Sequence, residues 1–337
     1  MKALKKEHYN MGLERKEEFK EKRIGVLMGG MSAEREVSLM SGKAILEALQ
    51  GLGYDARPIE ADEKLAQRLL EKKIEVAFIG LHGRLGEDGT VQGLMEVMRI
   101  PYTGSGVLAS ALSMHKVISR EIFMHHGLPV PRHVVLGRKA MEQFDLSKLP
   151  FSLPIVFKPA EEGSSVGVTI VAEASQIGPA MELAFGYGPE ILVEEYIKGR
   201  EVQVGILGDV PLGAIEIIPR TPFYSYEAKY TDGLAKHILP APLPEEDYSR
   251  ALELGLTAHR ILGCEGATRV DLLFKEPGQF FILELNTLPG MTALSLLPEI
   301  ARGVGLDFPN LIERILLGAR LKIRTKLPEG SWQLQDH

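Results

Sequence analysis

Short apolar runs alternate with helically spaced apolar residues along most of the chain. The first run, Ile24 to Met28, ends in a Gly-Gly turn and is followed by a helical pattern at 37–49. A run so bounded predicts a buried parallel strand. Further strands are predicted at 54–59 and 74–81, and helices around 91–99 and 106–126. Strand–helix–strand alternation predicts an open α/β sheet with right-handed crossovers.

A Pro-flanked stretch at 127–131 predicts a linker into a second unit. There, strands at 154–159 and 166–171 flank a Gly/Ser-rich turn, and a helix near 175–186 and a strand at 191–197 follow. After a turn at 198–200, strands are predicted near 201–208 and 211–219, then a polar loop from 220 to about 235. A helix at 245–262, strands near 267–274 and 280–286, and two helices close the chain. Residues 1–22 are charged throughout and are expected to be an exposed helix or nothing fixed, outside the first unit.

Composition narrows the class. A chain of 337 residues suggests two domains or three small ones at roughly 150 residues each. Hydrophobic residues are 45%, charged residues 25% and mean hydropathy +0.01, which excludes disordered and collagen-like chains. No run approaches the roughly 18 apolar residues of a membrane span. The net charge of −6 gives no electrostatic reason for a nucleic-acid partner. Cys264 is the only cysteine, so an intrachain disulfide and a cysteine-based zinc site are excluded; its apolar neighbours predict a buried structural thiol. The charged N-terminus lacks the apolar core of a signal peptide, so the expected location is the cytoplasm.

The chemistry begins in the last strand pair, which reads RVD and ELN. Strand side chains alternate, so Arg269 and Asp271 share a face, as do Glu284 and Asn286. Paired through the 275–279 turn, these polar groups converge among apolar neighbours, and buried charge must be paired or metal-bound. Oxygen ligands suit Mg²⁺ or Mn²⁺, with nucleotide phosphates completing the shell; the alternative is a solvated sheet face with an Arg–Asp pair. Lys158 precedes the Gly/Ser turn that holds Glu162, Gly163, Ser164 and Ser165. Such a turn can lay backbone N–H groups over phosphates, though it also occurs as a plain hairpin. Glu194, Glu195 and Glu201 bracket a strand end, where they are surface charges or acceptors for a ribose hydroxyl or adenine amine. Glu34 follows the first strand and His82 ends the third, on the side where open α/β sheets bind ligands. Glu34 could equally be a helix-start acid favoured by the dipole. The aromatic-rich 223–230 loop reads as a water-excluding lid or an ordinary surface loop.

Together and in order, GGMSAEREVSL, LHGRLGEDGTVQG, PYTGSG, FKPAEEGSSVG, FYSYEAKYTDG, RVD and ELNTLPGMTALS resemble the ATP-grasp ligases, and among them the D-alanine–D-alanine ligase family. The motifs span about 24 to 320. The resemblance implies a three-domain ATP-grasp architecture, α/β and α+β: an N-terminal open parallel α/β domain at 23–115, a central subdomain at 116–199, and a C-terminal subdomain at 200–325 with lid and metal site. Residues 1–22 and 326–337 would be an extension and a tail. The implied reaction joins two D-alanines through an acyl phosphate, with ATP as co-substrate, for peptidoglycan precursor synthesis. Homodimers are common in the family.

Carried over by motif, Asp271, Glu284 and Asn286 would hold two Mg²⁺ or Mn²⁺ ions. Lys116, Lys158, Glu162, Gly163, Ser164, Ser165 and Lys229 would meet the phosphates, and Glu194, Glu195 and Glu201 the adenine and ribose side. Glu34 and His82 would serve the first D-alanine, and Arg269 with the Gly290 N–H the developing oxyanion. Ser295 and Leu296 would hold the second carboxylate, and Glu34, Ser164 and Tyr230 would tie lid to N-terminal domain. Three features depart from the pattern: the extension, Glu195 where some members have lysine, and Leu294 where some have histidine. A ligase using D-lactate or D-serine, and a non-catalytic ATP-binding relative, are the alternatives. A Rossmann-type dehydrogenase is opposed by the missing GxGxxG.

Depsipeptide-forming relatives carry histidine where this chain has Tyr230. Tyr230→His is therefore expected to raise D-lactate use at low pH. Product analysis between about pH 5 and 8, the range over which histidine titrates, checks this; absence of depsipeptide throughout would refute it.

Overall fold

A computed structural model describes residues 13–219, 235–292 and 294–323. The first sheet contains β1 (Arg23–Met28), β2 (Asp55–Glu60) and β3 (Val76–Ile79) in the order β2-β1-β3, all parallel. Helix α1 (Lys16–Lys20) precedes it, and α2 (Arg35–Gly51), α3 (Leu65–Glu71) and α4 (Thr90–Met98) connect and follow its strands. Helix α2 lies close on β1 because Gly42 faces Met28, where a Cβ would collide.

The 106–126 region is two helices, α5 (Val107–Met114) and α6 (Lys116–His125), and not the single helix its spacing predicts. His115 between them is extended, at φ −86° and ψ 96°. The Lys116 N–H leaves the helical ladder for the Ala160 carbonyl, at 2.8 Å. The break thus joins α6 to the second sheet.

That sheet is antiparallel: β4 (His133–Gly137), β5 (Ile155–Pro159), β6 (Thr169–Val171) and β7 (Glu190–Glu195), ordered β4-β7-β5-β6, with α7 (Ile177–Phe185) packed on it. The strand expected at 166–171 is only Thr169–Val171. Gly167 is left-handed, with φ of +70°, which extended backbone cannot accommodate, and Ser164 and Ser165 before it are left-handed too, at +49° and +61°. The third sheet holds β8 (Arg200–Leu207), β9 (Val210–Pro219), β10 (Ala235–Ile238), β11 (Ala267–Lys275) and β12 (Gln279–Asn286), ordered β10-β9-β8-β11-β12 and antiparallel throughout. Helices α8 (Glu245–Ile261), α9 (Leu296–Gly303) and α10 (Phe308–Leu317) complete the described chain. Strands β4 and β10 were not expected from the pattern, and the 220–234 loop lies outside the described residues. Cys264 is buried, with its sulfur 3.6 Å from the Ser113 hydroxyl. Burial pushes its thiol up to about 11, against the hydrogen bonds of Ser113 and Ser105.

One hydrophobic core joins the first sheet to the third through α9 and α10. Phe19 of α1 belongs to it, so the helix is docked through this residue and not exposed throughout as expected. Phe19 is 1% exposed. Arg15 donates to the carbonyls of Leu317 and Ala319, Lys16 pairs with Glu313 at 2.9 Å, and Lys20 donates to the Leu52 carbonyl. A cation on the last carbonyls of α10 suits the helix dipole. The lone aromatic in a charged run leaves no periodicity to read. Phe19→Ala should cost about 3 kcal/mol of stability, as deletion of a buried aromatic does. An unchanged urea midpoint would show that this segment is not part of the core.

Candidate active site

Between the second and third sheets lies a cleft of about 450 Å³. Its walls carry Lys116, Lys158, Glu162, Ser165, Glu194, Glu195 and Glu201, and its floor carries Asp271 and Glu284. A smaller cavity adjoins it, lined by Glu34, His82, Ser164, Arg269, Asn286, Gly290, Ser295 and Leu296, with Glu87 and Leu294 at its wall. The Gly/Ser turn stands between the two: Ser164 lines the small cavity, and Glu162 and Ser165 line the large one.

The floor follows from strand register. Asp271 faces Glu284 across the β11–β12 pair and Arg269 faces Asn286, with a register shift just beyond Asp271. Arg269 grips Asp271 with two hydrogen bonds, at 2.7 and 2.9 Å. Lys116 lies 3.2 Å from Glu284 and donates to the Glu162 carbonyl. Lys158 pairs with Glu194 at 2.7 Å, and Arg120 pairs with the other Glu194 oxygen at 2.7 Å. Arg120 is fully buried and also donates to the Leu283 carbonyl. Burial would raise the Glu194 carboxyl, but Arg120 and Lys158 hold it below its usual range. Burial lowers Lys158 to about 8; Glu194 opposes this, and Arg120 and Lys116 add to it. Glu194 is therefore spent on two cations, while Glu195 is held by Arg132 and Glu201 accepts from Gln203.

In the smaller cavity, Glu34 occupies the N-cap position of α2 but makes no cap hydrogen bond. Its carboxylate accepts from the Ser164 hydroxyl. Gly83, at φ +71°, makes room for it: a Cβ there would lie 2.9 Å from the Glu34 carboxylate. His82 is buried, with Nε2 3.0 Å from the Ser41 hydroxyl and Nδ1 3.1 Å from the Leu288 carbonyl. Burial disfavours its charged form, but the hydrogen bond and charge of Glu87, with Glu34 behind, outweigh burial and raise its pKa. Ser295 precedes α9 without capping it; its hydroxyl turns to Thr292 instead. The first N–H groups of α9 thus lack a side-chain cap. Gly290 packs against Ser295, where a Cβ would lie 2.7 Å from the hydroxyl.

Lys229 and Tyr230 lie outside the described residues. The other expected site residues gather around the two cavities. Arg120, Glu87 and Ser41 were missed. Arg120 stands four residues after Lys116 on one helix face, inside an apolar stripe with Val117 and Phe123, and that misplaced charge was the available signal.

Asp271, Glu284 and Asn286 fit a hard divalent cation. They supply two carboxylates and an amide oxygen on neighbouring strands beside a phosphate-sized cleft, the donor type Mg²⁺ takes when phosphates supply the rest. Among the described residues no group of three or more His, Cys, Asp or Glu side chains could hold a metal by itself.

Known proteins resemble this chain over most of its length. The family model described as D-ala D-ala ligase C-terminus matches residues 122–317, and the one described as D-ala D-ala ligase N-terminus matches 59–105. The D-alanine–D-alanine ligase of Geotalea uraniireducens is 58% identical over 91% of this chain and 98% of its own length. That of Geobacter sulfurreducens is 56% identical, over 92% and 98%. The chain belongs to the D-alanine–D-alanine ligase family. The crystal structure of the Bacillus anthracis D-alanine–D-alanine ligase complexed with ATP superposes with a TM-score of 0.77 at 35% identity, covering 88% of this chain and 97% of that one. The fold is thus the ATP-grasp architecture of the D-alanine–D-alanine ligases, with the parallel sheet in its N-terminal region. Helix α1, with its core residue Phe19, lies outside both family-matched stretches. No helix among the described residues is long and apolar enough to cross a membrane.

Lys158 loses its proton as pH rises through about 8, and with it the cation that faces the cleft. Nucleotide affinity should therefore fall as pH rises above about 8 and hold steady just below it. Titration calorimetry with ATP from pH 6.5 to 9.5 would show this; a flat profile would mean that Lys158 either keeps its proton over this range or does not meet phosphate.

Proposed function

We propose that this protein joins two D-alanines into D-alanyl-D-alanine, using ATP and releasing ADP and phosphate, to supply a peptidoglycan precursor. One observation carries the reading: a large cleft that holds Lys116 and Lys158, and a small cavity with an acid and an arginine, meet at the Gly/Ser turn and the Asp271–Arg269 pair. The large cleft suits a nucleotide, and the small one suits amino acids. Because the reaction uses ATP, the protein would work in the cytoplasm.

Lys116 and Lys158 would neutralise phosphate charge, and the Gly/Ser turn would cover it. Glu194 would act by holding Lys158 in place. Asp271, Glu284 and Asn286 would hold Mg²⁺ or Mn²⁺, which neutralises charge where carboxylate and triphosphate meet. Glu34 would receive the ammonium of the first D-alanine, beside His82. The carboxylate of that D-alanine takes the γ-phosphoryl group, giving an acyl phosphate and ADP. The amine of the second D-alanine attacks the acyl carbon, loses a proton, and phosphate leaves. Arg269 and the Gly290 N–H would stabilise the oxyanion formed on the way. The uncapped start of α9, at Ser295 and Leu296, would hold the second carboxylate with backbone N–H groups. An acyl phosphate hydrolyses in bulk water, so the reaction needs an enclosed site; Lys229 and Tyr230 would serve that closure.

Phosphate release should require ATP, Mg²⁺ and D-alanine together, and mass spectrometry should show one D-alanyl-D-alanine per phosphate. No D-alanine-dependent phosphate from folded, ATP-binding protein would overturn the reading. Phosphate matched by a mixed product with D-lactate or D-serine would move it to another second substrate.

A further inference from the structure

The 82–88 loop, which follows β3, is tied together by hydrogen bonds of its own. Its backbone N–H groups are taken up locally: Gly83 by Glu87, Leu85 by Asp88, Gly86 and Glu87 by the Gly83 carbonyl. Leu85 is held left-handed, at φ +65°. His82 begins this loop in the smaller cavity. Two residues on, Arg84 reaches out of the first unit. Its Nε donates to Glu162 at 2.9 Å, and its Nη2 lies 3.3 Å from Glu161 and donates to the Tyr187 carbonyl at 3.2 Å.

These partners sit at both ends of the Gly/Ser turn. Glu161 and Glu162 begin it. Tyr187 closes its far end, with its ring where a Cβ on Gly167 would lie 2.8 Å away. Glu162 passes the contact on, since its carbonyl accepts from Lys116, which faces Glu284. Glu161 also faces His115, at 3.5 Å, so Arg84 is not the only group holding it. Nothing in the proposed chemistry uses Arg84.

We infer that Arg84 is a positioning residue that couples the amino-acid cavity to the nucleotide cleft, by fixing the Gly/Ser turn to the loop that carries His82. An amino acid settling against His82 and Glu34 steadies the 82–88 loop. Through Arg84 it then steadies the turn over the phosphates, so nucleotide binds more tightly when D-alanine is present. Coupling between ligands is reciprocal, so ATP tightens D-alanine by the same factor. Because Arg84 is 46% exposed, the coupling lies toward the low end of the usual range, about three- to tenfold.

The inference rests on the ATP-dependent ligase reading, and the test separates the two. A non-hydrolysable ATP analogue with Mg²⁺ is titrated into the full-length protein by calorimetry, with and without saturating D-alanine. Wild type should bind the analogue about three- to tenfold more tightly with D-alanine. Arg84→Ala should lower that ratio clearly, with the Ser164–Glu34 hydrogen bond keeping the remainder, and Arg84→Lys should lower it less, because a point charge reproduces only part of the guanidinium fork. Glu162→Gln should lose the same share from the other side, with the double variant losing no more. In steady state, Arg84→Ala should raise the KM for ATP at saturating D-alanine and leave kcat within about twofold, as loss of uniform binding does. Thermal unfolding of each variant shows whether it is folded, and Arg84→Lys carries the test if the alanine variant is not. A coupling ratio in Arg84→Ala equal to wild type, or a wild-type ratio of one, would overturn the inference and leave the ligase reading intact. Wild type that binds no analogue would overturn both.

Discussion

Lys158 is buried at the foot of a cleft that must receive negative charge, and burial works against the charge that makes it useful. The structure resolves this with register. In the β5–β7 pair, Val156 lies opposite Glu194, which puts Lys158 on the same face and one diagonal step away. Glu194 holds the ammonium but needs a second cation of its own, and Arg120 supplies it from α6. Removing one member of such a set strands the others as uncompensated buried charges, which costs far more than an exposed pair. The helix break at His115 belongs to the same solution. It seats α6 against the second sheet, so that Lys116 faces the cleft and Arg120, one turn on, reaches Glu194 from within the core.

The same device recurs across the floor. Asp271 is gripped by Arg269, and Glu284 faces Lys116. Asp271 and Glu284 each already have a cation beside them, and Lys116 and Lys158 each already have an acid. Ligand binding is then an exchange of partners among charges that are nearly balanced beforehand. Such a site is stable without its ligands and still attracts them, because incoming phosphate and metal replace internal pairs with a larger set of opposite charges.

The sequence showed the order of elements well, because parallel strands and amphipathic helices write their periods directly. The convergence of Arg269, Asp271, Glu284 and Asn286 was also legible, since alternation and one short turn determine it. What stayed hidden depends on distant contacts. The break at His115 is set by a hydrogen bond to Ala160, 44 positions away from Lys116 in the chain. Phe19 of α1 finds its apolar partners in distant elements, and Arg15, Lys16 and Lys20 find theirs there too. Glu194 reads as a ligand-facing acid by its place at a strand end, yet its carboxylate is taken by cations from two other elements. Arg84 looks like an ordinary surface cation in a Gly-rich loop, and only the neighbouring unit gives it meaning.

Cys264 has a practical side. It is the only sulfhydryl in the chain, it is 8% exposed, and its pKa is near 11. Maleimides and disulfide reagents attack the thiolate, and at neutral pH only about one molecule in ten thousand would carry it at this position. The protein is therefore silent toward thiol labelling as it stands. A cysteine introduced at an exposed position would react alone. A fluorophore or spin label could be attached there without first removing a native cysteine from the core.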